Sequence, residues 1–408
     1  MNRRVVVTGG SSISALGMDL EESFASLRTL KNRIVRMDAW EKYAQMNTRL
    51  ACPIPFPLPE YSRKKARSMG RVAHLAVAST EAALSMAGIL PGDPLLRSGR
   101  MGVAYGSSSG SFDALFDFTS MFLDGNDRQI TATSYIRSMP QTCAVNISVS
   151  LGLTGRLITT NTACTAGSLS IGYAFESIQG GMQDVMIAGG AEELNPTGAA
   201  VFDTLFATSV KNDSPELTPR PYDRDRDGLV IGEGAGTLIL EEFEHAKARG
   251  AKMYAELVGF GTNTDGDHIT QPNSETMQIA LELALQSAKI GPEQIGYVNG
   301  HGTATRRGDA AETQATFRAF KNRAVPVSTL KSYIGHTLGA CGAIEAWLSV
   351  GMMNRNWFAP TLNLENVDPE CAPLDYITGL GREMEIEYLM SNNFAFGGIN
   401  TSLIFKRI

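Results

Sequence analysis

The sequence predicts an α/β fold with buried sheets, built twice over. Short β-rich runs ending in glycine recur along the chain, and helical patterns lie between them. The whole alternation then repeats beyond one charged seam, EEFEHAKARG at Glu241–Gly250. In the first half the runs are VVVTGG at Val5–Gly10, MGVAYG at Met101–Gly106 and DVMIAGG at Asp184–Gly190. In the second they are AELVGFG at Ala255–Gly261, IGYVNGHG at Ile295–Gly302 and VPVSTLK at Val325–Lys331. The closing stretch, LMSNNFAFGGINTSLIFKRI, reads as two strands joined through a glycine turn. Arg71–Ala87 is an alanine-rich helix, and Glu275–Lys289 places apolar residues at helical spacing after an Asn273/Ser274 cap. The halves divide as residues 1–250, which carry Cys164, and 251–408, which carry His301 and His336. No residue-level repeat is visible, so the duplication is one of layout. No low-complexity linker separates the halves, which places the expected active site at their shared interface.

With 408 residues, 43% of them hydrophobic and 19% charged, the chain is long enough to bury a large core. The net charge of −6 argues against a general nucleic-acid surface, which needs a basic excess. Cys52, Cys143, Cys164, Cys341 and Cys371 are scattered without a CxxC pair. An odd, dispersed set is neither a disulfide framework nor a zinc site, and fits a reducing compartment. The apolar run of MNRRVVVTGG stops at Gly9, too short for a signal-peptide core, and nothing approaches the ~18 apolar residues of a membrane span. The expected location is the cytoplasm.

Cys164 stands in TTNTACTAGSLS, surrounded by small residues, whereas an ordinary buried cysteine lies among larger hydrophobes. Such neighbours suit a sulfur that a substrate or another backbone must approach closely. A cysteine with distant histidines is the general layout of thiolate catalysis, and His301 and His336 both lie in glycine- and threonine-rich turns after β-runs. That puts them at strand ends, where α/β sites form.

Two other motifs compete. GSSSG at Gly106–Gly110 satisfies the G-x-S-x-G nucleophile elbow, which would make Ser108 the nucleophile of a hydrolase. In a chain rich in glycine and serine the pattern has low specificity, and a plain glycine turn after a strand accounts for it. DRDRDG at Asp223–Gly228 imitates the start of a calcium loop. Its closing acid falls one place early, at Glu233, and arginines separate the acids, so a salt-bridged loop is expected instead.

NTACTAG, GHGTATRRGDAAE, STLKSYIGHTLGACGAIE and SNNFAFGGIN, in that order, resemble the signature blocks of the β-ketoacyl-acyl-carrier-protein synthases, nearest to the type II elongating enzymes. The likeness runs end to end and includes RPYDRDRDGLVIGEGAG, a structural loop of the family. It implies a thiolase-type fold, a pseudo-duplicated five-layer α-β-α-β-α stack of two mixed five-stranded sheets, and it implies dimerisation. It places Cys164 at the N-terminus of a buried helix running to about Gln179, where the helix dipole is expected to lower the thiol pKa.

The reaction implied is a decarboxylating condensation. Cys164 holds an acyl chain as a thioester, and malonyl-acyl-carrier protein loses carbon dioxide and extends it to a 3-oxoacyl product. By the same resemblance His301 and His336 donate hydrogen bonds, Lys331 tunes the site, and the N–H groups of Cys164 and Phe396 form the oxyanion hole. Glu345 belongs to the supporting network. Thr270, Thr303 and Thr305 match pantetheine contacts, while Ser109, Phe394 and Phe396 match the acyl pocket and its gate. Lys64, Arg67 and Lys211 match docking positions for an acidic carrier protein. Asn299, Glu345, Ser391 and Asn392 match a cluster that holds a monovalent cation in some relatives. No cofactor is implied beyond the phosphopantetheine that arrives on the carrier.

Three departures bear on specificity. Ala395 replaces a usual glycine, Ile399 a usual threonine, and Ser109 a bulkier pocket residue. With TLFATSVKND they make the chain similar to the ketosynthases of aryl-polyene pigment clusters, as against ordinary fatty-acid elongation. Priming synthases use Cys-His-Asn, and thiolases a second catalytic cysteine at a position Cys341 does not match. Chain-length factors lack the nucleophile. A noncatalytic subunit of a heterodimer is the remaining alternative to an active homodimer.

Overall fold

The computed structural model describes residues 3–408. Its main sheet has 11 strands. In chain order they are β1 (Val5–Ile13), β2 (Met101–Gly106), β3 (Leu157–Thr160), β4 (Val185–Glu192), β5 (Gly234–Glu242) and β6 (Ala255–Thr264). There follow β7 (Ile295–Asn299), β8 (Pro326–Ser328), β9 (Asp375–Tyr376), β10 (Tyr388–Ala395) and β11 (Ile399–Lys406). Across the sheet they run β9-β8-β7-β10-β11-β6-β1-β5-β4-β2-β3.

This order makes the duplication visible. The first half reads β3-β2-β4-β5-β1 and the second β8-β7-β10-β11-β6, so each places its strands third, second, fourth, fifth, first. The pairing senses agree as well. The third, second and fourth strands are parallel, and the fifth is antiparallel to both the fourth and the first. The two halves meet where β1 and β6 pair antiparallel, Val5–Val7 against Ala255–Leu257. Short β9 extends the second half past β8.

Five helices define the layers: α1 (Arg71–Met86), α2 (Ala166–Gln179), α3 (Ser274–Ala288), α4 (Arg306–Ala319) and α5 (Cys341–Arg355). The predicted helices correspond to α1 and α3, and Asn273 caps α3 by accepting from the Glu275 and Thr276 amides. On the outside, α1 covers β1 and β5, while α3 covers β6 and β11 and carries α4. Between the two strand sets lie α2 and α5, in contact with each other and with strands of both halves. The result is the expected layered α/β stack, except that the two five-stranded sets are not separate sheets: they join edge to edge through β1 and β6, and β9 adds an eleventh strand.

Composition explains why two helices can lie at the centre. Helix α2 is buried along nearly its whole length and is built largely of Ala, Gly and Ser, so neighbouring backbones approach it closely. Gly190 of β4 sits where a Cβ would collide with the Gly339 carbonyl and the Gly167 backbone. The β10–β11 hairpin turns through Gly397 (φ 90°) and Gly398 (φ 69°), the glycine turn predicted. The sequence reading did not single out β3 or β5, whose GAGTLILEE straddles the end of the 220–236 signature and the start of the charged seam at Glu241.

The Asp223–Gly228 loop is salt-bridged, as expected. Arg226 is fully buried between Asp309 (3.4 Å) and Asp368 (2.5 Å), and the Asp223 carboxylate accepts the Glu365 and Asn366 amides at 2.8 Å each. Gly190 provides a test of the central packing. The substitution Gly190→Ala is expected to destabilise the protein by about 1–3 kcal/mol, read as a lower urea midpoint, through overpacking against two backbones.

Candidate active site

Three strand ends deliver the key side chains to one place. Cys164 follows β3, in a single 3₁₀ turn (Ala163–Thr165) that opens into α2. His301 follows β7, and His336 comes after β8 and the short helix Lys331–Ile334. The sulfur of Cys164 lies 3.0 Å from His336 Nε2. The two imidazoles stand perpendicular (88°) with ring centres 5.1 Å apart. All three side chains are buried, and one ligand-type atom of each falls within 4.8 Å of the others.

Hydrogen bonds set both imidazole tautomers. The Leu338 amide donates to His336 Nδ1 at 3.2 Å, so Nδ1 holds the lone pair and Nε2 bears the hydrogen that faces Cys164. At His301, the Lys331 ammonium (3.2 Å) and the Asn393 amide (3.4 Å) both face Nδ1, which again leaves the N–H on Nε2. Two neutral rings therefore present donors to the cavity. The same assignment makes the trio a poor metal centre despite its spacing, because a protonated Nε2 has no lone pair to give.

Lys331 organises the electrostatics. It is 1% exposed, and its Nζ lies 2.5 Å from Glu345 Oε1. Burial opposes the ammonium, but Cys341, Glu345 and Glu312 together outweigh it and raise the Lys331 pKa. Burial, with the Lys331 charge second, drives both histidines well below the ordinary value. The backbone after β7 is held by Glu312, which accepts the His301 and Gly302 amides at 2.5 and 2.8 Å.

Cys164 departs from expectation. It does stand at the start of a buried helix, but burial pushes its thiol up to about 12, against the opposing pull of Lys331 and the Phe396 and Cys164 amides. Removing the anion from water costs more than those groups return. The resting nucleophile is a thiol. Both amides named for the oxyanion hole do face the sulfur.

Two cavities meet at Cys164. The larger, about 480 Å³, is lined by His301, His336, Phe394 and Phe396 and by Thr270, Thr303 and Thr305. The smaller, about 240 Å³, holds Ser109 beside Cys164, Phe202 and Phe396. The expected pantetheine, gate and pocket residues thus converge on one sulfur. Lys64 and Arg67 are exposed and Lys211 is half-buried, and none of them lines either cavity.

Ser108 has another role than nucleophile. Its hydroxyl and amide donate to the Glu192 carboxylate (2.6 and 2.9 Å), which also accepts the Gly339 amide at 3.0 Å. That carboxylate ties the loop after β2 to the loop after His336. Cys341 opens α5 as Cys164 precedes α2, and its buried thiol donates to the Cys164 carbonyl at 3.2 Å. Asn299, Glu345 and Ser391 do cluster, with Asn299 Nδ2 at 3.4 and 3.3 Å from the other two. Sequence reasoning missed Glu192, Glu312 and two arginines in the larger cavity, Arg306 and Arg307. The arginines stand within GHGTATRRGDAAE, where Asp309 and Glu312 follow closely enough to look like their partners, and only the fold shows both acids engaged elsewhere.

Two outcomes follow. Because the folded imidazole pKa values lie below the ordinary one, His301 and His336 stay neutral from about pH 8 down through about pH 6. Their ring-proton NMR shifts are expected to show no inflection near 6.5. Because the Cys164 pKa is raised, alkylation by iodoacetamide should climb about tenfold per pH unit past pH ~9; a plateau near neutrality would show that the helix dipole prevails.

Comparison with known proteins agrees with this geometry. Residues 2–246 match the model of the beta-ketoacyl synthase N-terminal domain, and residues 254–365 that of its C-terminal domain. The chain is 39% identical to 3-oxoacyl-[acyl-carrier-protein] synthase 2 of Vibrio cholerae, over 100% of this chain and 99% of that protein. A beta-ketoacyl synthase structure from Burkholderia phymatum superposes with a TM-score of 0.98 at 56% identity, over 100% of both chains. A ketosynthase in complex with its chain length factor, from Xenorhabdus doucetiae, gives 0.85 at 25% identity, over 100% of this chain and 98% of that one. Strand order, a buried Cys-His-His cluster and full-length likeness converge: the chain belongs to the beta-ketoacyl synthase family.

Proposed function

We propose that the chain is a condensing acyltransferase, a 3-oxoacyl-acyl-carrier-protein synthase that joins an acyl group held on Cys164 to malonyl-acyl-carrier protein. One observation carries the reading: a buried sulfur lies beside two imidazole N–H donors and two backbone amides, in a cavity that continues outward past Thr303 and Thr305.

The first half-reaction is thioester exchange. Cys164 Sγ attacks the acyl carbonyl carbon, the carrier's sulfur departs, and the Cys164 thiol proton ends on that leaving sulfur. The amides of Cys164 and Phe396 donate to the oxyanion that forms in between. In the second, malonyl-carrier thioester enters and its carboxylate leaves as carbon dioxide. The electron pair of the broken C–C bond becomes an enolate, whose oxygen accepts from His301 and His336 Nε2–H. Neutral imidazoles suit this step, since the malonyl carboxylate is not held by a cation that would retain it. The enolate carbon attacks the acyl carbon, and the C–S bond to Cys164 breaks. The released thiolate takes a proton from solvent, leaving a chain two carbons longer. Lys331 holds His301 in its donor tautomer and favours negative charge at the sulfur.

The carrier partner is supported by the name of the Vibrio relative and by exposed Lys64 and Arg67, which suit an acidic surface. A dimer is supported by exposed apolar side chains on and near the helix Phe112–Asp124, among them Phe116, Phe122 and Tyr135. We read it as a homodimer, and the Xenorhabdus likeness favours a chain-length-factor heterodimer as the second reading. The cytoplasm fits five free cysteines, and among the described residues no helix is long and apolar enough to cross a membrane. Small Ser109 in the pocket beside Cys164 supports a long or rigid acyl group, as an aryl-polyene pathway would need. A monovalent cation fits the Asn299 cluster, because Asn299 Oδ1 is buried without a partner while Asn299 Nδ2 faces Glu345. Such an ion would brace the Lys331–Glu345 pair and enter no step.

Mass spectrometry after incubation with a panel of acyl-carrier proteins is expected to find the adduct on Cys164 and none in Cys164→Ala, which loses condensation. Retained condensation in the assembled complex would favour the noncatalytic-subunit reading. Loading by short saturated chains alone would remove the aryl-polyene assignment. His301→Ala is expected to slow malonyl decarboxylation by about 10²–10³-fold, the usual loss for one oxyanion donor, measured as carbon dioxide release.

A further inference from the structure

The larger cavity has an uneven charge distribution. Cys164, His301 and His336 lie buried in its depth, whereas Arg306 and Arg307, the first two residues of α4, are exposed where it opens. Each carboxylate that lines the same cavity is held within the fold through at least one oxygen, although Asp227 Oδ1 is buried there without a partner. Asp227 accepts from Ser209 Oγ (2.9 Å) and the Val210 amide (3.0 Å). Asp265 accepts from Asn400 Nδ2 at 2.7 Å and from Thr276, and Glu312 accepts two backbone amides. Nearby Asp309 and Asp368 are taken by the buried Arg226. Among the described residues, neither Arg306 nor Arg307 has a carboxylate within ion-pair distance.

A chain of net charge −6 therefore keeps two adjacent guanidinium groups outside any ion pair at the mouth of its reactive cavity, the Asp368 carboxylate lying near enough to Arg306 only to feel its charge. Such a pair has no folding role that these contacts reveal. Planar guanidinium forks bind phosphate oxygens two at a time, with charge-assisted hydrogen bonds. Just inside the arginines, the Thr303 and Thr305 hydroxyls, 2.9 Å apart, are placed for an uncharged polar linker, and the thiol lies beyond them. From the outside in, the lining reads anion, amide-bearing arm, thioester.

We propose that Arg306 and Arg307 bind the phosphate of the phosphopantetheine arm as the loaded thioester enters, and so select phosphate-bearing donors. This inference rests on the reading of Cys164 as the acyl acceptor. An acidic carrier surface could meet the same arginines. The phosphate is favoured because both residues line the cavity that leads to the sulfur, while the exposed Lys64 and Arg67 lie outside it.

The test compares two small donors that carry the same acyl group, the one that loads Cys164 best: its 4′-phosphopantetheine thioester and its pantetheine thioester, which lacks the phosphate. Acylation of Cys164 is followed by intact-protein mass spectrometry. In the unmodified protein the phosphate is expected to raise kcat/KM about tenfold or more. In R306A/R307A that ratio should collapse toward one, and R306K/R307K should restore part of it. A ratio of one in the unmodified protein, or an unchanged ratio in R306A/R307A, overturns the proposal. An unchanged ratio with slower loading from acyl-carrier protein would instead assign the arginines to the carrier's surface. Failure of either donor to acylate Cys164 in the unmodified protein, when acyl-carrier protein also fails, would overturn the function proposed above. Salt dependence of the ratio gives a second readout, since screening should lower it only while the arginines are present.

Discussion

The buried contact between Lys331 and Glu345 is the constraint on which the site rests. An ammonium excluded from water persists only when its partner is close and the partner's remaining lone pairs are satisfied. Here Glu345 also accepts from Asn393 Nδ2 at 2.8 Å and from Asn299 Nδ2 at 3.4 Å. The charge so retained does three things. It occupies His301 Nδ1, it disfavours protonation of both imidazoles, and it opposes part of the cost of ionising Cys164. The pair also joins the loop after β8 to helix α5, so the electrostatics of the site and the packing of the second half depend on one another.

Small residues set the depth at which that chemistry occurs. Gly167, Gly190 and Gly339 let α2, β4 and the loop after His336 approach backbone to backbone. The Glu192 carboxylate then fastens the Ser108 loop to Gly339. The same tight packing removes water from Cys164, and the raised thiol pKa is its direct consequence. A dry site strengthens every hydrogen bond aimed at developing charge, while it penalises standing charge on the sulfur. A resting thiol and a well-furnished oxyanion hole are two results of one act of burial.

How much was legible varied with the range of the interaction. The alternation of β-runs and helices, the α1 and α3 segments and the closing hairpin were readable because they depend on local periodicity and caps. Cys164, His301, His336 and Lys331 were readable through ordered signature blocks. Strand β5 escaped because its residues are divided between the end of one signature and the start of the charged seam. Glu192 escaped because it accepts backbone amides from distant loops, and Glu312, although inside a signature block, because no residue pattern records that its carboxylate accepts the amides of the turn before its helix. The thiol pKa was read in the wrong direction because a helix terminus is a local feature, while desolvation sums over everything packed around it.

By itself the sequence determined the fold class, the doubled layout and the identity of the reactive side chains, since these depend on residue type and on spacing along the chain. The tertiary structure decided the order of the strands within each half, which imidazole nitrogen carries its hydrogen, and which charges remain unpaired at the cavity mouth. Those outcomes depend on contacts between residues far apart in sequence, such as Leu338 N–H to His336 Nδ1 beside Cys164, or Arg226 taking the carboxylates that Arg306 and Arg307 lack. A hydrogen-bond partner or an occupied carboxylate is a property of a place in space, and only folding creates the place.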